Sequence, residues 1–372
     1  MPAPIRITSP RNGDILNRHD GTETAESLTV EVAGDAPPGA QVTVNGIHAH
    51  VAGDSAGGTF QCAVPITQRR NEITATAVHG GTESTDTITV LWDKGSQPRY
   101  RFSVDDNIQF LRELGSNPDD YPSLFDHWYL AFWRRMHEEF GAKIHINIYH
   151  QTVGGDFTLD RIPTKWHDEW EANADWLHLS FHALQDQPEQ PYRNATYDEM
   201  ARDYDAVVGH IKRFAGYSVV SNTTTVHWAA ATKDACRALY DRGIRVLIGI
   251  FRREFEDQCP TGYYLPDDIK DHINTRDYYY DPDTGLIFIT EDATVNNLAV
   301  PGIEPWLDNQ ASSPHTGELI ELLIHEQYFR EELPFYQPDI QDKVIHSLRW
   351  VTARGYQPVF WGEGFLGNST EL

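Results

Sequence analysis

The pattern of hydrophobic and polar positions changes character near residue 97. Before this point, short runs such as SLTVEVAG, NEITATAVH and STDTITVLW alternate apolar and polar residues, and turn-forming Gly, Pro, Asn and Asp residues separate them. Alternation with a period of two is typical of half-buried β-strands, because successive side chains point to opposite faces. Six or seven such strands predict an all-β antiparallel sandwich over residues 1–96.

The second region, residues 97–372, predicts strands that alternate with amphipathic helices. YLAFWRRMHEEFGA and ATYDEMARDYDAVVGHIKRFAG have helical periodicity, Gly216 ends the second of them, and KIHINIYH is typical of a strand. KDACRALYDRGIRVLIGIF and QDKVIHSLRWVTARGYQPVFWGE each predict a helix followed by a strand. We therefore expect an α/β fold with a largely parallel sheet closed as a barrel. Active sites of such folds lie at the carboxyl ends of the strands.

Composition and charge restrict the classes of partner. The chain has 372 residues, 40% of them hydrophobic, which is enough for two domains with buried cores. Its formal net charge of −25 repels nucleic acid and anionic membranes, and no run of Lys or Arg offers a local exception. No apolar run approaches the ~18 residues of a membrane span. We expect neither nucleic acid nor a membrane as a partner.

The cysteines and the first residues give expectations about compartment. Cys62, Cys236 and Cys259 lie far apart and lack the CxxC spacing of thiolate zinc sites, so we expect neither such a site nor a disulfide framework. The opening MPAPIRITSP lacks the charged and then apolar pattern of a signal segment. A secreted or periplasmic location stays open if a leader has been removed, and the oligomeric state stays open as well.

Two neighbouring carboxylates, Asp105 and Asp106, follow an alternating run in RYRFSVDDNIQF. Adjacent residues on a strand point to opposite faces, so one carboxylate can turn inward at the strand's end while the other enters the following loop. The pair can therefore hold two different roles. A solvated turn is the alternative, because Asp and Asn are common turn residues.

The segment WLHLSFHALQD carries two histidines four residues apart, His178 and His182. On a helix this spacing favours a metal-binding pair. On a strand the two would lie ~13 Å apart, too far to share one ion with bonds of about 2.1 Å. We predict a strand, with His182 at its end as a ligand and His178 as an interior histidine. If the chain turns helical at His182, Asp186 returns to the same face and could join it.

The motifs of the second region resemble, in order, those of polysaccharide deacetylases, the carbohydrate esterase family four with NodB homology. SVDDN stands where that family has Thr-Phe-Asp-Asp-Gly, LSFHALQD where it has His-x-x-x-His, and ELIELLIHEQYF resembles the strand that ends in Leu-x-His. The resemblance implies a distorted parallel β/α barrel. It also implies Asp105 as the catalytic base, Asp106 and His182 as metal ligands, and His325 as the general acid.

The chain departs from this family at several positions. Asp186 replaces the second His of the ligand pair, and TTTVHWAAAT stands where the family has Arg-Pro-Pro-Tyr, so the arginine that orients the base is missing. His227 lies in that stretch and could supply the third metal ligand, with Asp186 and His178 as alternatives. Glu326, next to His325, could act as acid or base instead.

The first region resembles bacterial immunoglobulin-like modules found beside carbohydrate-active enzymes, on the strength of ITSPRNGDIL and APPGAQVTVNG. We expect it to act as a spacer or lid. In the second region, the run Tyr278, Tyr279, Tyr280 and the residue Trp306 are either a wall for stacking sugars or the packing of an inserted hairpin.

Together these residues predict a metal-dependent hydrolase that removes acyl groups from a carbohydrate by cleaving an amide or ester. One carboxylate and two imidazoles suit a divalent metal, most plausibly zinc. Two alternatives remain open: a carbohydrate-binding protein that kept the barrel without hydrolysis, and a metal-dependent polysaccharide lyase. The sequence leaves the sugar and its linkage undefined.

Overall fold

The structure is a computed structural model that describes residues 5–54, 57–252 and 261–368. The chain divides into two units, which are described separately below. The first unit comprises Met1–Ser96, Tyr278–Gly285 and Asn368–Leu372, and the second comprises Gln97–Asp277 and Leu286–Gly367.

Ten short strands form two sheets in the first unit. The strands are β1 (Arg6–Ser9), β2 (Ile15–Leu16), β3 (Gly21–Glu23), β4 (Leu28–Ala36), β5 (Gln41–Val44), β6 (Ile47–His48), β7 (His50–Asp54), β8 (Gly57–Ile66), β9 (Arg70–His79) and β10 (Thr82–Trp92). One sheet has the order β1–β4–β8–β7, with β3 paired to β4, and the other has the order β2–β10–β9–β5–β6. The pairs are antiparallel except for β2 with β10.

Alternate residues of both sheets face one hydrophobic core. Val32 and Val64 from the first sheet and Ile73 and Val90 from the second are each fully buried in the same cluster. The period-two pattern therefore predicted the side-chain orientation correctly, and the two sheets enclose the core as a sandwich. The closer resemblance to immunoglobulin-like modules stays a prediction.

A short strand that is distant in sequence completes the first unit. In β16 (Tyr278–Tyr280) all three tyrosines are buried. Asn17 Nδ2 donates a hydrogen bond of 2.6 Å to the Tyr278 hydroxyl, and the backbone N–H of Tyr280 donates to the Gly13 carbonyl at 2.9 Å. These aromatic side chains are packing residues, so the interpretation as a wall for stacking sugars is wrong for them.

Parallel strands alternate with helices in the second unit, and four of the helices match, to within one residue at their start, stretches predicted as helical. The strands are β11 (Arg99–Asn107), β12 (Ile144–Tyr149), β13 (Leu177–Ala183), β14 (Thr223–Thr224), β15 (Val246–Gly249), β17 (Ile287–Thr290), β18 (Ala293–Thr294), β19 (Leu319–His325) and β20 (Gln357–Pro358). The helices are α1 (Gln109–Ser116), α2 (Trp128–Phe140), α3 (His167–Glu171), α4 (Tyr197–Phe214), α5 (Lys233–Asp241), α6 (Asp267–Ile273), α7 (Ile303–Gln310) and α8 (Ile340–Ala353).

These strands pair as two parallel sheets. One has the order β13–β12–β11–β19–β18 with β20 on β11, and the other contains β14, β15 and β17 in that order. Backbone hydrogen bonds connect the sheets: Leu179 N–H donates to Val219 at 2.8 Å, just before β14, and Asp292 N–H donates to Glu321 at 3.1 Å, just after β17. The mixed, largely parallel α/β organisation is thus present. The closed barrel is not confirmed and stays a prediction.

Local signals in the sequence explain the ends of α4. Thr196 accepts from the Glu199 N–H and Glu199 accepts from the Thr196 N–H, which is a capping box that satisfies two backbone donors. The helix ends at Phe214, and Gly216 then adopts a φ of 99°, a conformation that glycine reaches without strain. This helix returns the chain from β13 to β14.

The start of α1 depends on a residue from another strand end. Ile108 provides no side-chain cap, so the first N–H groups of the helix need another acceptor. Glu326, which follows β19, accepts hydrogen bonds from the N–H groups of Ile108 and Gln109 at 2.8 Å and of Phe110 at 2.7 Å. Arg330 donates to the same carboxylate at 2.5 Å. Glu326 therefore joins the ends of β11 and β19.

Cys62 and Cys236 are both buried, and Cys259 lies outside the described residues. Among residues 5–54, 57–252 and 261–368, no helix is both long and apolar enough to span a membrane.

We expect Glu326→Gln to destabilise the second unit by about 3 kcal/mol, because it leaves Arg330 without its buried charge partner and removes an acceptor from α1. Glu332→Gln is the matched control. Glu332 also pairs with Arg330, at 3.8 Å, but its side chain is 62% exposed, and exposed pairs contribute at most about 1 kcal/mol. Urea unfolding of both variants measures the difference. Equal stability of the two variants would contradict the proposed role of Glu326 in connecting β19 to the start of α1.

Candidate active site

The carboxyl ends of the parallel strands line a cavity of about 950 Å³. Asp105 and Asp106 end β11, Tyr149 ends β12, His182 lies near the end of β13 and His325 ends β19. Asp105 and His325 are directly paired in the register of β11 and β19. The parallel arrangement therefore brings side chains that are distant in sequence to one end of the sheet.

Three of the predicted residues, Asp106, His182 and His227, bring one atom each into a small triangle. Asp106 Oδ1 lies 3.1 Å from His182 Nε2 and 3.4 Å from His227 Nδ1, and the two ring nitrogens are 3.2 Å apart. Both histidines are buried, and the Asp106 side chain is 13% exposed. These are the residues that could hold a metal ion together.

The other nitrogen of each imidazole is held by a backbone carbonyl. His182 Nδ1–H donates to the Thr225 carbonyl at 2.6 Å, and His227 Nε2–H donates to the Asp186 carbonyl at 3.0 Å. Such bonds fix the ring orientation and the tautomer of metal-binding histidines. His182 Nε2 and His227 Nδ1 are consequently the two nitrogens aimed at Asp106.

The triangle fits a tetrahedral zinc ion. Zinc bonds to nitrogen and oxygen are about 2.0–2.1 Å, so tetrahedral ligands lie roughly 3.3–3.4 Å apart, close to the three distances found here. Two imidazole nitrogens facing each other at 3.2 Å repel unless a proton or a cation lies between them. One carboxylate and two imidazoles suit zinc, and the site geometry by itself leaves the identity of the metal undefined.

Charge also favours a cation at this position. Burial raises the pKa of Asp106, but hydrogen bonds from His182 and His227 outweigh burial and hold this pKa well below its usual value. Burial lowers the pKa of His182, whereas Asp105 and Asp106 more than compensate and raise it. The Asp106 carboxylate therefore keeps its charge and stabilises positive charge on its neighbours.

Sequence reasoning missed two further contacts of Asp106. Tyr149 donates from its hydroxyl to Asp106 Oδ1 and lies 3.0 Å from His227 Nδ1, while Gln327 Nε2 donates to Asp106 Oδ2 at 2.8 Å. Burial, followed by Asp106, raises the pKa of Tyr149 well above its usual value, so the hydroxyl keeps its proton. The sequence pattern that could have identified Tyr149 is the polar residue at every second position of KIHINIYH, namely His145, Asn147 and Tyr149.

The two predicted catalytic residues lie in the same cavity. Asp105 is 2% exposed, and its Oδ1 accepts a hydrogen bond of 2.5 Å from Asn147 Nδ2. His325 Nδ1–H donates to Asn296 Oδ1 at 2.9 Å, which leaves Nε2 to exchange a proton with a ligand. Glu326 is fully buried, and its carboxylate accepts hydrogen bonds from the start of α1 and from Arg330; the alternative that it acts as acid or base stays a prediction.

The other two ligand candidates take different positions. The Asp186 carboxylate is half-exposed and lies 3.8 Å from His227 Nε2, so this residue orients His227 mainly through its backbone carbonyl. His178 belongs to the extended strand β13 and stacks on Phe360, with ring centroids 3.7 Å apart. The extended geometry separates His178 from His182, as the strand interpretation requires.

Left-handed backbone conformations occur at and beside the proposed ligands. Asp106 has a φ of 62°, and Trp228 and Ala229, directly after His227, have φ values of 63° and 45°. Asp tolerates this left-handed region, whereas Trp and Ala rarely adopt it. Strain of this kind is often found at functional sites. The turn also directs Trp228, which is 40% exposed, into the cavity lining.

No family model matches the chain, and no curated protein matches it. Among solved structures, a β-glucuronidase of Bacteroides uniformis aligns with 95% of this chain and 44% of its own, at 11% identity and a TM-score of 0.32. A β-glucuronidase of Parabacteroides merdae aligns with 87% of this chain and 47% of its own, at 9% identity and a TM-score of 0.26. The chain thus spans less than half the length of these two proteins.

A family 123 glycoside hydrolase of Clostridium perfringens aligns with 90% of this chain and 74% of its own, at 9% identity and a TM-score of 0.24. All three proteins are named as enzymes that act on carbohydrates, and none of the three is named as a deacetylase. Similarity at this level does not establish a common fold, and the functional argument below depends on the site alone.

We expect His182→Ala to lower zinc affinity by more than the ~10- to 100-fold typical of losing a residue that only orients a ligand. His178→Ala is the control on the same strand and should leave zinc affinity unchanged. Equilibrium dialysis with zinc measures both. Equal losses would show that the helical interpretation of the pair, with both histidines as ligands, is the correct one.

Burial lowers the pKa of His178 to about 4, whereas the unfolded chain protonates this ring near 6.5. The unfolded state therefore binds more protons between these values, and stability is lost as pH falls from about 6.5 to 4, by roughly 3 kcal/mol at most. We expect His178→Phe, which keeps a ring against Phe360, to remove this part of the acid sensitivity. Denaturant unfolding between pH 4 and pH 7 tests it, and parallel stability curves for variant and wild type would contradict it.

Proposed function

We propose that the protein is a metal-dependent hydrolase that removes an acyl group from a carbohydrate, in the manner of polysaccharide deacetylases. The observation that carries the proposal is the convergence of Asp106, His182 and His227 on one point, with Asp105 and His325 lining the same cavity. A metal-binding triangle beside one candidate base and one candidate acid is the arrangement that metal-assisted hydrolysis needs.

Asp106, His182 and His227 would hold the ion, which we propose to be zinc. A divalent cation bound there supplies Lewis acidity to the carbonyl oxygen of an amide or ester. Tyr149 and Gln327 keep the Asp106 carboxylate in one orientation, and the Thr225 and Asp186 carbonyls do the same for the two imidazoles.

The protein's own groups would move two protons. Asp105 accepts a proton from the water that attacks the acyl carbon, and His325 Nε2–H donates a proton to the leaving nitrogen or oxygen as the bond to the acyl carbon breaks. The products are a carboxylic acid and a free amine or alcohol on the sugar. Asn296 keeps His325 in the tautomer or protonated form that holds a hydrogen on Nδ1.

The cavity lining supports a sugar substrate. Trp228 and Phe335 are 40% and 60% exposed and line the cavity, and aromatic faces of this kind pack against the apolar faces of sugar rings. Gln151, Gln327 and Asn297 add amide groups to the same lining, which can hydrogen-bond to hydroxyl groups. Mixed aromatic and amide surfaces suit a polyhydroxylated ligand better than a purely apolar one.

Product analysis with acetylated oligosaccharides tests the proposal. Release of acetate from zinc-loaded protein supports hydrolysis, whereas an unsaturated sugar product would show a lyase. Saccharide binding without either product, in protein confirmed to contain the metal, would show the non-hydrolytic binding protein.

We expect the two neighbouring carboxylates to differ in their effects. Asp105→Asn should lower kcat by ~10²- to 10⁴-fold, the usual contribution of a general base, with zinc content unchanged. Asp106→Asn should reduce zinc content itself. Kinetics and metal analysis of both variants measure this. Full activity of Asp105→Asn, or a loss of zinc as complete as in Asp106→Asn, would contradict the division of roles.

A further inference from the structure

We infer that Asn147 is the positioning residue of the catalytic centre, which holds Asp105 in the orientation needed to accept a proton. The inference rests on the proposed role of Asp105 as base. Asn147 lies on β12, is fully buried, and donates from Nδ2 to Asp105 Oδ1 at 2.5 Å. Of the two carboxylate oxygens of Asp105, Oδ1 is therefore the one that accepts a hydrogen bond from the neutral amide of Asn147.

The orientation of the Asn147 amide is determined by its neighbours. Ser180 Oγ donates to Asn147 Oδ1 at 2.5 Å, and Thr224 Oγ1 lies 3.3 Å from the same oxygen. Because these hydroxyls lie on the oxygen side of the amide, its NH₂ group faces Asp105. A rotated amide would present its oxygen to the carboxylate, which is repulsive.

Neighbouring strands supply the members of this network. Asn147 and Ser180 are register partners on β12 and β13, and Thr224 belongs to β14. All three side chains are buried, so water does not compete for their hydrogen bonds. The Thr224 hydroxyl also donates to the Phe181 carbonyl, which fixes its own direction. The buried network of Asn147, Ser180 and Thr224 therefore determines the position of the Asp105 carboxylate.

Asn147 therefore orients the Asp105 carboxylate without contacting the three residues that could hold the metal ion. Within the described part of the chain, Asn147 is hydrogen-bonded to Asp105, Ser180, Thr224, Thr225 and Asn107, and none of these residues is Asp106, His182 or His227. Disturbing Asn147 should therefore affect proton transfer and leave the affinity for zinc and for substrate unchanged.

Two variants and one control test the inference. Asn147→Asp has the same shape but replaces the donor by a second carboxylate, and we expect kcat to fall by ~10² or more, with KM and zinc affinity unchanged. Ser180→Ala leaves Asn147 in place but frees its amide to rotate, and we expect a loss of about tenfold, the equivalent of one hydrogen bond. Ser347→Ala is the matched control, because it removes a buried hydroxyl of α8 that bonds to Lys343, and kcat should not change.

A second readout does not require activity. In protein labelled with ¹⁵N-asparagine, one side-chain N–H resonance of Asn147 should be protected from exchange with solvent, and Asp105→Ala, which removes the acceptor, should reduce this protection. Unchanged protection in Asp105→Ala, or unchanged kcat in both Asn147→Asp and Ser180→Ala, would overturn the inference. If wild-type protein loaded with zinc hydrolyses no acylated saccharide, the proposed function fails, while the exchange measurement still decides whether Asn147 holds Asp105.

Discussion

The buried carboxylate of Glu326 is the constraint on which the arrangement of the cavity in the second unit depends. It accepts three backbone N–H groups at the start of α1 and is neutralised by Arg330, which also donates to Glu113 at 2.5 Å. Asp105 and Asp106 lie at the end of β11, just before α1, and His325 directly precedes Glu326. One buried charge thus connects the segments that carry the proposed base, one proposed ligand and the proposed acid.

Near Glu326, backbone carbonyls and neutral side-chain amides orient the charged groups and imidazoles of the site. Carbonyls of Thr225 and Asp186 hold the two imidazoles, Gln327 holds Asp106, and Asn147 holds Asp105. Neutral partners fix direction without adding charge, so the negative potential of the carboxylates remains available to a cation. Asn147 can thus fix the orientation of Asp105, the proposed base, although the arginine expected from the family resemblance is missing.

Much of the fold and part of the site were predictable from local signals. Period-two alternation predicted the strands of the first unit, and helical periodicity located α2, α4, α5 and α8, because both patterns reflect which side of an element is buried. Strand geometry excluded His178 as a partner of His182, since it depends only on the rise per residue. The buried tyrosines at 278–280 were ambiguous, because their hydrophobicity is the same in a core and in a sugar-binding wall.

The sequence by itself therefore determined the types of element, the face that each side chain takes, and the candidate residues at strand ends. Only the tertiary structure decided that His227 joins Asp106 and His182, that Tyr149 and Gln327 complete the surroundings of Asp106, and that Glu326 accepts the first N–H groups of α1. The physical reason is that periodicity depends on neighbours along the chain, whereas these contacts join residues 43 to 221 positions apart. Their distances depend on strand order and register, which local patterns do not encode.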